Sequence, residues 1–202
     1  MSQRPEPREA GPVRQFRLAM LVMLAVVTGC AREESQDSTT PEGAASMGMK
    51  LTSSAFDKGQ TIPRRHSGDG EDLSPPLSFS GVPEQARELA VIADDPDAPP
   101  HTWVHWVIYR IPPTADGLKE GIEPVPQPSS PAGAVQGKND FGNTGYGGPM
   151  PPRGHGPHHY HFKLYALDTE LDLQAGATKQ ELLKAMEGHI IAQAELVGTY
   201  ER

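Results

Sequence analysis

The 202-residue sequence predicts a mainly β, β-rich α+β domain built on antiparallel sheets. Three observations carry this. The clearest apolar runs, Leu89–Ala93 and Trp103–Ile111, are of strand length and bounded by turn formers. Gly and Pro number 21 each, about a fifth of the chain together, which suits a fold rich in turns. A capped helical pattern stands out only near the end, without the strand–helix alternation of βαβ units.

The chain opens with an address. Arg4, Arg8, Arg14 and Arg17 precede the apolar run Leu18–Val27, the order of a secretory signal. Ten apolar residues are too few to span a bilayer, which takes about 20. The run ends Val27-Thr28-Gly29-Cys30, which resembles a bacterial lipoprotein box with Cys30 as the lipidated residue. Cys30 is the only cysteine, so an intramolecular disulfide is excluded. The expected division is a signal peptide over 1–29, a lipidated Cys and disordered tether over 30–48, and one domain over 49–202. Four Arg against Glu6 and Glu9 make residues 1–29 net +2, so the remainder is −8 − 2 = −10. That charge, with no basic stripe, excludes nucleic acid as the main partner. Membrane attachment would come from the acyl anchor, placing the protein in a bacterial cell envelope.

Within the domain, Lys50–Phe56 reads as a first strand and Pro75–Phe79 as a short alternating one. The strand Leu89–Ala93 must stop at Pro96, whose nitrogen cannot donate to a ladder. Asp94–Trp106 is therefore an acid- and proline-rich turn leading into the strand Trp103–Ile111. Strict alternation puts Trp103, His105, Val107, Tyr109 and Ile111 on one face of that strand. Residues 137–152 are too glycine-rich for a helix or regular strand, and a long ordered loop is uncommon unless functional. His159–Leu167 is a further strand with Tyr160, Phe162, Leu164 and Ala166 on one face. Thr178-Lys179-Gln180-Glu181 is a capping box opening a helix with Leu182, Leu183 and Met186 on its apolar side, and Gly188 is a plausible stop. Ile190–Val197 reads as a strand or a second short helix.

Two segments carry the chemistry: Asp94–Trp106, and the glycine-rich loop running into His158-His159-Tyr160. Glycines let a backbone approach a ligand and free its N–H groups for an anion. A histidine beside an aspartate is more readily protonated, and a tyrosine hydroxyl is a neutral donor. Taken singly, each residue has a plainer reading: Asp95 as a turn former before Pro96, Trp103 and His105 as core, Tyr160 as a strand residue. Their combination points to a small anion pocket without Lys or Arg. The clustered His155, His158, His159 and His161 lack a thiolate or a spaced zinc motif, so no metal and no cofactor are expected.

Asp95-Pro96-Asp97-Ala98-Pro99, Trp103-Val104-His105, Gly148-Pro149-Met150-Pro151-Pro152 and His158-His159-Tyr160 together resemble the phosphatidylethanolamine-binding protein family, in its bacterial Raf-kinase-inhibitor-like branch. The resemblance covers about 49–202. It implies an antiparallel β-sandwich with a C-terminal helix and a surface pocket for a phosphate-bearing group. By matching positions it implies Asp95 and Asp97 lining the pocket, with Asp95 paired to His105, and Trp103 as a wall. Gly148 would be a loop donor, His158 a rim residue, Tyr160 a hydroxyl donor and Pro99 the shaper of the turn, with Ala98–Pro99 a candidate cis bond. His159 departs from the family's usual Arg and Met150 from a common Cys. The expected function is a non-enzymatic, lipid-anchored binding module for a small anion, a phospholipid head group or a phosphorylated ligand. The alternatives are an inhibitor or regulator docking on a kinase or serine protease through the pocket rim, and a hydrolase using the Asp–His pair, for which no nucleophile elbow is present.

Overall fold

The computed structural model describes residues 48–202, so the signal sequence, Cys30 and all of the tether but its last residue lie outside the described residues. Two antiparallel sheets form the framework. The smaller has the order β1 (Lys50–Thr52), β2 (Leu77–Ser80), β5 (Gly117–Leu118). The larger has the order β6 (Val135–Gln136), β4 (Trp103–Ile111), β3 (Glu88–Asp95), β7 (His158–Leu167), β8 (Ile190–Tyr200). Among the described residues one α-helix, α1 (Lys179–Met186), precedes β8, and Arg64–His66 forms a single 3-10 turn.

The larger sheet is buried on both faces. One face packs against the small sheet through Leu51, Leu77, Phe79, Trp106, Ile108, Phe162 and Leu164. The opposite face, with Ile92, Val107, Tyr109 and Leu167, is covered by Leu182 and Met186 of α1 and by Leu171. This explains why β3 reads as an unbroken apolar run: every residue from Glu88 to Asp95 is buried. The buried Glu88 and Gln136 side chains have partners. Glu88 accepts from the backbone N–H of Arg110 and Leu171, at 2.9 Å each. The Gln136 side chain accepts from Trp106 Nε1 at 2.7 Å and donates to the carbonyls of Glu123 and Val125.

Several elements fall where expected. β3 ends at Asp95, immediately before Pro96, and β4 spans Trp103–Ile111. Tyr160, Phe162, Leu164 and Ala166 all enter the same core. Thr178 and Glu181 form both halves of the capping box, and Gly188 follows the helix end with φ +80°. Ile190 onward is a strand. Three expectations are corrected. The first strand stops at Thr52, and the chain then turns where Ser53 Oγ donates to the Pro76 carbonyl at 2.6 Å. Leu183 is exposed, because burial on α1 follows the four-residue step from Leu182 to Met186.

The third correction concerns β4, whose face does not alternate strictly. Its pairing with β3 passes from Asp94↔Val104 to Ala93↔Trp106, leaving His105 as an extra residue. It slips again between Val91↔Ile108 and Leu89↔Ile111, around Arg110 at φ +56°. Each bulge resets the parity. Val104, Val107 and Tyr109 therefore face α1, while Trp106, Ile108 and Ile111 face the small sheet.

Candidate functional site

Strand order brings the candidate residues together. β3 is antiparallel to both β4 and β7, so its last residues lie beside the first residues of its two neighbours. Asp95 thus pairs with Trp103, and Asp94 with His161. The bulge at His105 turns its ring towards Tyr160, with centroids 5.1 Å apart. The loop after β6 closes the remaining side. Asn139 shapes it: its Oδ1 accepts from the N–H of Phe141 and Asn143, and its Nδ2 donates to the Gly145 carbonyl. Phe141 then lies edge-on to both Trp103 and His105, 5.4 Å from each.

The result is a pocket of about 180 Å³ lined by Asp95, Pro99, Trp103, His105, Phe141, Met150, His158 and Tyr160, among others. Larger clefts, of about 980 and 750 Å³, lie along β8 and beside Tyr146. The small pocket is the better candidate because two of its buried donors lack partners. Trp103 Nε1 and the Tyr160 hydroxyl have no hydrogen-bond acceptor among the described residues, and such a group costs stability unless something else satisfies it. Burial first, and the Asp95 charge second, raise the pKa of Tyr160, so its hydroxyl keeps its proton and remains a donor. Asp95 raises it further as a neighbouring acceptor, although the two groups do not reach full hydrogen-bond geometry.

Asp95 is committed elsewhere. His158 Nδ1 donates to its Oδ2 at 2.7 Å, with both side chains buried, and the Asp97 N–H donates to Oδ1 at 2.8 Å. The expected Asp95–His105 pair is therefore replaced by Asp95–His158, and His158 is a buried wall rather than a rim residue. His105 instead donates from Nδ1 to the Gly147 carbonyl at 2.5 Å. Burial lowers its pKa, outweighing that hydrogen bond and the Asp95 charge, so its role is that of a neutral imidazole rather than a cation.

Three further assignments change. Asp97 faces outward, accepting from the backbone N–H and Nδ1 of His159 at 2.9 and 2.7 Å; the His159 hydrogen bond lowers its pKa. Gly148 is not a free donor, because its N–H is held by Asp72 Oδ1 at 2.6 Å. Its glycine identity reflects close approach instead: a Cβ there would lie 2.5 Å from the His66 carbonyl oxygen. Pro99 lines the pocket, but the cis bond is Pro99–Pro100, one residue beyond the expected position. Among the described residues no three His, Cys, Asp or Glu side chains group to hold a metal. His159 and His161 are engaged by Asp97 and Glu195. Phe141, Asp72 and Asn139 were not singled out by sequence, although Phe141 is the sole phenylalanine of the glycine-rich loop.

The neutral state of His105 has a measurable consequence. A lowered folded-state pKa means the unfolded chain binds the extra proton first, so stability from this group is present above about pH 6.5 and lost below it. The stability gap between wild type and His105→Gln should therefore narrow as pH falls from 7 towards the folded-state pKa. Urea denaturation at several pH values checks this, and a gap that widens on acidification would show a protonated His105 in the fold.

The architecture is an antiparallel β-sandwich with a small, partly apolar pocket at one end of its main sheet. The family model for phosphatidylethanolamine-binding proteins matches residues 52–201, and the chain belongs to that family. A UPF0098 protein of Methanothermobacter thermautotrophicus is 52% identical over 154 residues, covering 76% of this chain and 99% of that one. A crystal structure of a phosphatidylethanolamine-binding protein homolog from Chlamydia trachomatis is similar at 46% identity and a TM-score of 0.70, covering 78% of this chain and 99% of that chain. YbcL of E. coli, described as a member of the mammalian family, is similar at 36% identity and a TM-score of 0.71, covering 76% of this chain and 98% of its own.

Proposed function

We propose that the domain is a binding module whose pocket takes a small phosphate-bearing group and performs no chemistry on it. One observation carries the reading: the Trp103 indole N–H and the Tyr160 hydroxyl, both buried and unpartnered, serve one pocket. Paired buried donors want oxygen acceptors, and a phosphate group supplies several. No Lys or Arg lines the pocket, so binding rests on fixed neutral donors rather than on net charge. The Asp95 carboxylate is engaged by His158 and by the Asp97 N–H, which reduces its repulsion of an anion. Phe141 and Met150 at the mouth, both exposed, suit an apolar substituent on the phosphate.

The test is a calorimetric titration of the purified protein with phenyl phosphate and, separately, with inorganic phosphate. Saturable one-site binding is expected, tighter for the substituted phosphate. Absence of heat, together with unchanged Trp103 fluorescence, would remove the reading. Attachment to a bacterial envelope membrane through a lipid on Cys30 belongs to the same proposal and rests on the sequence alone. Cys30→Ser should move the protein from the membrane fraction to the soluble one, and equal fractionation of both forms would refute the anchor.

A further inference from the structure

The second sheet edge is open over half its length. β8 is the edge strand of the larger sheet, paired only with β7. Its C-terminal half is already covered by the chain itself: Gly59 N–H donates to the Val197 carbonyl at 2.7 Å, Ile62 N–H to Thr199 O at 2.8 Å, and Thr199 N–H to Gln60 O at 2.9 Å. The outward groups thus belong to odd-numbered residues, and the two-residue period of a strand turns the N–H and C=O of Gln193 and Glu195 outward as well. No backbone partner occupies them among the described residues. The covering segment leaves the edge at Gly59, and a groove of about 980 Å³ continues where it stops.

That groove has a floor and a charge. Leu51, Phe56 and Leu196 give it buried apolar surface. Lys50 and Lys58 stand beside it, exposed and outside any ion pair among the described residues, and outnumber the one likewise unpaired carboxylate there, Asp57. Lys163, by contrast, is committed to Asp94, and Glu195 to His161. Open edges are usually blocked or covered because they recruit strands, and here the chain covers one half and leaves the other.

We propose that this half-edge is a docking site for an extended acidic–apolar peptide segment of a partner protein, which adds a sixth strand beside Gln193 and Glu195. Main-chain hydrogen bonds to those two residues hold it. Alternate apolar side chains rest on Phe56 and Leu196, and carboxylates meet Lys50 and Lys58. The site is separate from the small pocket: the pocket takes His158 and Tyr160 from the start of β7, whereas the groove meets β7 at Lys163 and Tyr165.

The experiment uses the full chain, ¹⁵N-labelled, and an acetylated, amidated peptide Glu-Val-Thr-Val-Thr-Val-Glu. A twin peptide is N-methylated along the edge that would face β8. The amides of Gln193 and Glu195 should shift saturably with the first peptide, and the twin should bind at least roughly tenfold more weakly, because only its main-chain donors are lost. The Lys50→Glu, Lys58→Glu double variant should weaken the first peptide by a similar factor at low salt. Equal binding of the twin would overturn strand addition in favour of side-chain adhesion. So would amides already protected without peptide, which would mean the chain's own segment or a second copy fills the edge. Absence of any shift overturns the proposal directly, and leaves the phosphate pocket untouched.

Discussion

Trp106→Ala should lower the unfolding free energy by about 3–5 kcal/mol. Trp106 is fully buried between the two sheets, stacks edge-on against Tyr146 at 5.6 Å, and donates its indole N–H to Gln136. Truncation opens a large cavity and also leaves the Gln136 carbonyl oxygen without its donor, adding a desolvation cost. Against a total stability of about 5–15 kcal/mol, much of the margin would go. Urea unfolding should show a lower midpoint with an unchanged slope. Trp103→Ala, at a partly exposed position three residues earlier, should cost clearly less. Equal losses at the two positions would mean that the bulge at His105 does not set which tryptophan enters the core.

Tyr160→Phe should weaken phosphate-group binding about ten- to a hundredfold, since a lost hydrogen bond to a charged group costs about 1.5–3 kcal/mol. The ring still packs against His105 and the core, so the fold should persist; removing an unpartnered buried hydroxyl should even leave stability equal or slightly higher. That opposite movement of affinity and stability separates a ligand donor from a structural hydroxyl. His189→Ala is the suitable control, because His189 pairs with the exposed Asp168, away from the pocket. His155 does not serve, since its ring lies 5.9 Å from that of His158. Wild-type affinity in Tyr160→Phe would show that the hydroxyl does not meet the ligand.

Much of this framework is legible in the residues. Pro96 ends β3 because proline cannot donate, and Thr178 with Glu181 announces α1 because both capping groups lie three residues apart. Asp95, Pro99, Trp103, His105, His158 and Tyr160 of the two motifs line the pocket, while Asp97 and Gly148 do not and Phe141 joins them. The wiring of the pocket is not legible in the motifs. Whether Asp95 meets His105 or His158 depends on a bulge, and a bulge is set by pairing with β3 rather than by the sequence of β4 alone. Asp72 is invisible for a similar reason: it holds Gly148 across 76 positions, a contact without local signature. Phe141 signals itself only as an aromatic among glycines, which is compatible with an exposed loop.

The end of β3 also carries a constraint of phase. Asp94 and Asp95 are chemically identical neighbours with opposite duties: Asp94 is tied to Lys163 of β7 and Lys179 of α1, while Asp95 holds His158 at the pocket. Only the pleat assigns those duties, so β3 behaves as a reading frame. Deleting one residue upstream, at Ala90 for instance, would carry Asp95 to the place that meets the lysines, put Pro96 where His158 needs a carboxylate, and turn Asp94 into the core at the place of Ala93. The composition would be almost unchanged, yet the pocket would lose its acid and the core would gain one. Length changes in this domain are therefore least tolerable in the eight residues of its central strand.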